Sequence, residues 1–397
     1  MRKIAAQYLY PLKTQPIRNG FLLIDDEGII REIGQLSEET ESTEFYNGII
    51  CPGFVNSHCH IELSHLKGHF TQDSGMAGFI RQINKLRLSV SQEERAFAIK
   101  KEMDSLYNSG VDAMADISNC DESFPFKAES KMYTRTYLEV FGTETADAAS
   151  ITSGVLELSE TASKYGIDAA PTPHSCYTMS SALMESSLHH GLKSGFISYH
   201  NQESWEEEEL LKSGTGPLAD EYNRRGLSTP PITGEPALLY FLDRLKAAAQ
   251  KEVIDQEKIL LVHNTFTNQQ SINAALETVK NVYWAICPNS NLFIHRSLPP
   301  LELFRKNSLK ITLGTDSLSS NTSLSITDEI LTLHKYFPQI ELNEILLWAC
   351  YNGAEAIGKE GSIGSFEVGK RPGVVLLDNI DWNNHKITDN TKSVRLL

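Results

Sequence analysis

The sequence predicts an α/β chain: a (β/α)8 TIM-type barrel carrying a small β-sandwich domain built from both termini. Three observations lead there. Between residues 52 and 362, apolar strand-like segments alternate with amphipathic helix-like ones, as in parallel strands joined by helical crossovers. Residues 1–51 and 363–397 carry short alternating segments and tight turns instead. Histidines and carboxylates recur at the ends of the strand-like segments, where a barrel of this kind places its chemistry.

Taken in order, Gly20–Gly34 has a D-D-E-G turn between two alternating runs, a hairpin signal. The barrel opens with Pro52–His60, an apolar run ending in two histidines one residue apart. Seven more β segments are expected at 111–118, 133–140, 168–175, 195–204, 258–266, 281–291 and 310–317. Helical spacing marks 76–88, 93–107 and 236–248. The stretch 204–236, rich in charge, Gly and Pro, reads as a loop inserted after the fifth strand, able to cover the site. Its acidic run, Glu206 to Glu209, reads as a solvated helix start. Gly361–Asp378 returns to the texture of the N-terminal strands. A doubly wound open sheet is the structural alternative, but no G-x-G-x-x-G follows the first strand.

Composition narrows the class. The chain has 397 residues, 41% hydrophobic and 22% charged, enough for a sizeable core and ordinary for a globular enzyme. Its net charge of −15 speaks against a nucleic-acid polymer or an anionic membrane as partner. No apolar run long enough to span a bilayer appears. The six cysteines are scattered, without a C-x-x-C pair, so neither a disulfide framework nor a thiolate zinc knuckle is indicated. A cytoplasmic protein with a small-molecule substrate is expected, with a homodimer as the assembly to test.

The chemistry is read from the strand ends. His58 and His60 share one face of an extended strand and can reach one metal ion together. Further downstream stand His174, His200 with Glu203, His263, and Asp316. Histidine accounts for 12 of 397 residues, so five of them at four strand ends form a set. Three histidines and an aspartate can hold one divalent ion and leave a position for water, whose pKa falls to about 7 on such an ion. Asp316 then serves as ligand and proton acceptor, Glu203 as a proton donor outside the ligand set, and His263 as a group fixing the water.

These motifs resemble the amidohydrolase superfamily, in particular its mononuclear deaminase branch. The resemblance rests on P-G-F-V-N-S-H-C-H (52–60), T-P-H-S-C-Y-T (172–178), H-N-Q-E (200–203), V-H-N (262–264), C-P-N-S-N (287–291), G-T-D-S-L-S-S-N (314–321) and N-G-A-E-A-I-G (352–358). They span nearly the whole chain in the family's order. The resemblance implies one zinc ion, with iron as the alternative, bound by His58, His60, His200 and Asp316. It implies Glu203 as proton shuttle, His263 as its sixth-strand companion and His174 as a substrate contact. His174 stands where a binuclear enzyme has a bridging lysine, so a binuclear site is disfavoured.

Within that branch, H-C-H-I-E-L-S is similar to the motif of aminofutalosine deaminases. An adenosine derivative of nucleoside size is therefore the expected substrate. Glu62 can accept hydrogen bonds from its polar groups, and Arg135 can receive a carboxylate. The alternatives are a deaminase of a free base (guanine, cytosine, pterin), a chlorohydrolase or cyclic amidohydrolase, or a barrel with no catalysis. Cys59 and Cys176 lie beside the site as packing residues.

Overall fold

The computed structural model describes residues 1–37 and 43–397. The N-terminal strands are β1 (Arg2–Leu9), β2 (Ile17–Arg18), β3 (Gly20–Ile24), β4 (Ile30–Gln35) and β5 (Thr43–Cys51). The expected hairpin joins β3 to β4. Asp25 Oδ1 accepts the N–H groups of Glu27 and Ile29, and Gly28 takes a φ of +83°, which glycine adopts without a Cβ penalty.

The middle of the chain supplies eight strands. β6 (Phe54–Cys59), β7 (Val111–Ser118), β8 (Tyr133–Val140) and β9 (Asp168–Pro173) form one parallel sheet. β10 (Phe196–Asn201), β11 (Ile254–His263), β12 (Val279–Ile286) and β13 (Ile311–Leu313) form a second. The two sheets are bonded at both edges. At one, Pro171 and Pro173 deprive β9 of ladder donors; Thr172 Oγ1 compensates, accepting from Ser198 N at 3.0 Å and donating to Ser198 O at 2.6 Å. His200 N also donates to His174 O. At the other, the N–H groups of Thr315 and Asp316 both reach His58 O. Gly314 permits that approach, since a Cβ there would stand 2.8 Å from His58 N.

The chain ends return to the N-terminal strands. β14 (Val375–Leu377) pairs with β5 and with β15 (Ser393–Arg395). Among the described residues these terminal strands make one seven-stranded mixed sheet.

Alternation along the strands sorts the core. Ala113, Ala115 and Ile117 of β7 pack with Tyr137, Leu260, Val262 and Tyr283. Met114, between them, joins the larger cluster beneath the helices, as a period of two requires.

Three expectations are corrected here. The segment 281–291 stops being a strand at Ile286, because Pro288 starts the helix Pro288–His295. The stretch 204–236 is no plain loop: it folds into the helices Trp205–Ser213 and Pro217–Arg225, each ended by a glycine in the left-handed region. The acidic run is not solvated either, for Glu206, Glu207 and Glu208 are all buried.

Burial leaves a signature in pH. Burial pushes the Glu329 carboxyl up to about 8, against the bonds it accepts from Asn289 N and Asn321 Nδ2. Asp112 rises to about 7 for the same reason despite Arg395 beside it. Folded-state values above the unfolded ones mean that the stability these two carboxyls contribute is complete below about pH 4 and lost as pH rises through 7 to 8. The melting temperature of the metal-free protein should therefore fall by roughly 2–4 °C between about pH 7.5 and pH 9. A flat or rising profile by calorimetry would contradict this burial effect.

Candidate active site

β6 ends in His58 and Cys59, with His60 immediately after it, and both histidines are buried. Cys59 points to the opposite face, and burial drives its thiol well above its usual value, so it packs instead of ligating. The His58 ring lies 4.9 Å from that of His60, 4.8 Å from His200 and 5.4 Å from His263. Asp316 has a φ of +57°, a conformation an L-residue holds only where its surroundings impose it. Its Oδ1 sits 3.6 Å from Nε2 of His58 and 3.6 Å from Nε2 of His60. Oδ2 is anchored by Ser290 Oγ at 2.6 Å and Ser320 Oγ at 2.5 Å.

These residues fit a divalent cation. Tetrahedral ligands with bonds of about 2.1 Å stand roughly 3.4 Å apart, close to the spacing seen. Both ring nitrogens of buried His58 lack a hydrogen-bond partner among the described residues, a costly state unless something else binds them. His58, His60 and His200 group their ligand atoms tightly, as do His58, His263 and Asp316. Burial, then neighbouring imidazoles, holds His60 and His200 well below their usual values, and the neutral imidazole is the form that ligates. Burial opposes charge at Asp316, but the facing His58, His60 and His263 outweigh it and keep the carboxyl well below its usual range.

Glu203 differs in kind. Gln202 before it adopts a φ of +44°, turning the chain after β10 so that Glu203 Oε1 lies 3.6 Å from Nε2 of His263. Burial, followed by the like charges of Asp316, Glu207 and Glu139, raises the Glu203 carboxyl well above its usual value. His263 faces Asn291 Nδ2 through Nδ1 at 3.3 Å. That amide is a donor, so Nδ1 accepts and Nε2 carries the proton toward Glu203. A Glu203 carboxyl pushed toward its neutral form beside an Asp316 carboxyl pushed toward its ionised form separates the two roles acid–base chemistry needs.

The remaining predicted residues divide. His174 stacks on His200 at 4.4 Å, and Ser175 and Thr178 fix its Nδ1. Glu62 lies just past His60, buried, and its carboxylate takes Arg87 Nη2 at 2.6 Å and Asn119 N at 2.8 Å. Arg135 belongs elsewhere, and the role expected for it is corrected. It is the third residue of β8, ion-paired with Asp168 at the start of β9. It also stacks 3.7 Å over Phe196 at the start of β10. Those are the amino ends of the strands, away from the histidines.

Glu139 was missed by sequence reasoning. It is buried near the carboxyl end of β8, with Oε1 3.3 Å from His200 Nδ1 and without a hydrogen-bond partner. Burial pushes its carboxyl up to about 8. A glutamate between Leu138 and Val140, near the end of a strand, was the available signal.

Comparison with known proteins agrees with this geometry. A "5-methylthioadenosine/S-adenosylhomocysteine deaminase" of Thermodesulfovibrio yellowstonii is 24% identical over 405 residues, covering 94% of this chain and 84% of its own. An "Adenosine deaminase" of Helicobacter pylori is 27% identical over 364 residues, covering 88% of this chain and 85% of its own. An "Aminodeoxyfutalosine deaminase" of Nitratiruptor is 26% identical over 340 residues, 84% of this chain and 79% of its own. Among solved structures, Helicobacter pylori aminofutalosine deaminase with methylthio-coformycin superposes with a TM-score of 0.81 at 23% identity, over 100% of both chains. Family-wide sequence features extend over residues 49–395, from the end of β5 through β15, where they match the amidohydrolase model. A match over that much of the chain shows its family: the chain belongs to the amidohydrolase family.

Proposed function

We propose that this chain is a metal-dependent hydrolytic deaminase that releases ammonia from the purine-type ring of a nucleoside-sized adenosine derivative, in the manner of an aminofutalosine deaminase. We infer a closed (β/α)8 barrel over residues 52–362, with 1–51 and 363–397 forming the small domain. One observation carries the reading: His58, His60 and His200 group their ligand atoms, Asp316 Oδ1 lies 3.6 Å from both His58 and His60, and Glu203, whose carboxyl burial raises well above its usual value, faces the neighbouring His263. The names of the relatives support the substrate class.

Zinc is the metal we favour for this imidazole-rich set, with iron as the alternative. When bound, such an ion lowers the pKa of its water to about 7. The protein's residues supply the rest. Glu203 gives its proton to the ring nitrogen adjoining the carbon that carries the amino group. Asp316 takes a proton from the attacking water and passes it to the departing amino group, which leaves as ammonia, while the remaining hydroxyl proton restores Glu203. The His263 Nε2–H orients Glu203 and faces the developing charge. His174 and Glu62 border the substrate.

A panel of adenosine, 5′-deoxyadenosine, methylthioadenosine, aminofutalosine, guanine, cytosine and a pterin, scored by ammonia release, tests the assignment. An adenosine derivative with a 5′ extension should give the highest kcat/KM. A free base preferred over every nucleoside would overturn the substrate class. Glu62→Ala should lower kcat/KM for the nucleoside by about tenfold or more while leaving any free-base activity nearly unchanged, because only the larger ligand meets the Glu62 and Arg87 groups. Equal losses on both would place Glu62 in structural support alone.

A further inference from the structure

The helix Trp205–Ser213 follows Glu203 and Ser204 directly, and three of its four consecutive glutamates, Glu206, Glu207 and Glu208, are buried. Buried carboxyls are rare unless they are bonded, and each of these holds a different piece of backbone. Glu206 accepts the N–H groups of Met76 and Ala77, both at 2.9 Å, at the start of the helix Gly75–Leu86. Glu208 accepts Ala237 N at 3.0 Å, where the helix Ala237–Ala249 begins, and the Gln202 side chain at 2.8 Å.

Glu207 turns the other way, toward the active site. Its Oε2 accepts Glu203 N at 2.9 Å, and its Oε1 accepts Gln202 N at 3.2 Å and the Cys176 thiol at 3.3 Å. These are the two residues at which the chain bends sharply after β10. Gln202 is held in the left-handed region, its side chain fixed between Glu208 and Thr267. An L-residue leaves that region when the bonds holding it are removed. The direction of Glu203 depends on that bend.

We propose that Glu207 is a positioning residue that aims the Glu203 carboxyl at the reacting ring by holding the backbone amides of Gln202 and Glu203, without touching substrate itself. The proposal rests on the reading of Glu203 as the proton-transfer group. All three of Glu207's partners are donors. Glutamine in its place turns amide hydrogens on at least one of them and releases at least one N–H.

The test compares E207Q, E206Q, E203Q and the double variant E203Q/E207Q, with kcat, KM, bound metal and melting temperature measured for each. E207Q should lower kcat by about tenfold to a hundredfold, the scale of a misplaced catalytic group, with KM within about threefold and the metal retained. E206Q, the same change one residue earlier, should lower the melting temperature comparably and leave kcat within about twofold. On the E203Q background, E207Q should add less than about twofold, because the group it positions is already disabled. Where E207Q does not fold, E207D draws the carboxylate back by one methylene and carries the same double-variant test.

Wild-type kcat in E207Q beside an inert E203Q overturns the proposal alone. So does a full-sized further loss on the E203Q background. Normal turnover by E203Q removes the reading of Glu203, and the proposal with it.

Discussion

Glu203→Gln is expected to lose about 10²–10⁴ in kcat, the usual contribution of a positioned acid–base group, while keeping its metal and its fold. The amide matches the carboxyl in shape but cannot deliver a proton to the ring. The environment makes the loss specific: burial, followed by the charge of Asp316, raises this carboxyl well above its usual value and so favours the neutral acid. The direction with pH follows. Turnover that needs protonated Glu203 declines as pH rises through its elevated pKa, and E203Q lacks that limb. A glutamine variant with normal turnover, or one inert only because it has lost its metal, would remove the shuttle role.

The second large effect concerns the ion. His58→Ala should weaken metal binding by more than about 100-fold, since even the partners behind a ligand cost 10–100-fold when removed. His58 is the residue for this test because its two ring nitrogens have no hydrogen-bond partner among the described residues, so the substitution severs no protein contact of that kind. Activity should disappear on chelation of the wild-type protein and return with added zinc, and the holoprotein should melt at a higher temperature than the metal-free one. Metal analysis finding a full equivalent in His58→Ala would rule out the ligand set.

Much of the fold was legible in the sequence, for a physical reason. β7 and β8 span the residues expected, 111–118 and 133–140, because parallel strands covered on both faces read as nearly unbroken apolar runs. The grouping of His58 and His60 with His200 and Asp316 was legible because the H-x-H spacing and the strand-end position speak together. Arg135 was misplaced because strand membership alone does not say which end of the strand a residue stands at. Its place as the third residue of β8 puts it at the amino end, where conserving the fold and not the chemistry is the usual task.

The acidic run failed for another reason. Four adjacent glutamates look solvated in composition, and nothing local reveals that two neighbouring helices and the Gln202–Glu203 turn bring backbone N–H groups to meet them. Glu139 was hidden among apolar neighbours of β8. Its meaning depends on His200, sixty-one positions away in the chain and adjacent only in the folded sheet.

The most direct test of the central claim is the product formed in isotopically labelled water. The purified, zinc-loaded protein, given aminofutalosine in water enriched in heavy oxygen, should release one ammonia per turnover and place one solvent oxygen on the ring carbon that carried the amino group, with the glycosidic bond intact. A ring that keeps its amino group, whether the substrate is untouched or cleaved at another bond, would contradict hydrolytic deamination.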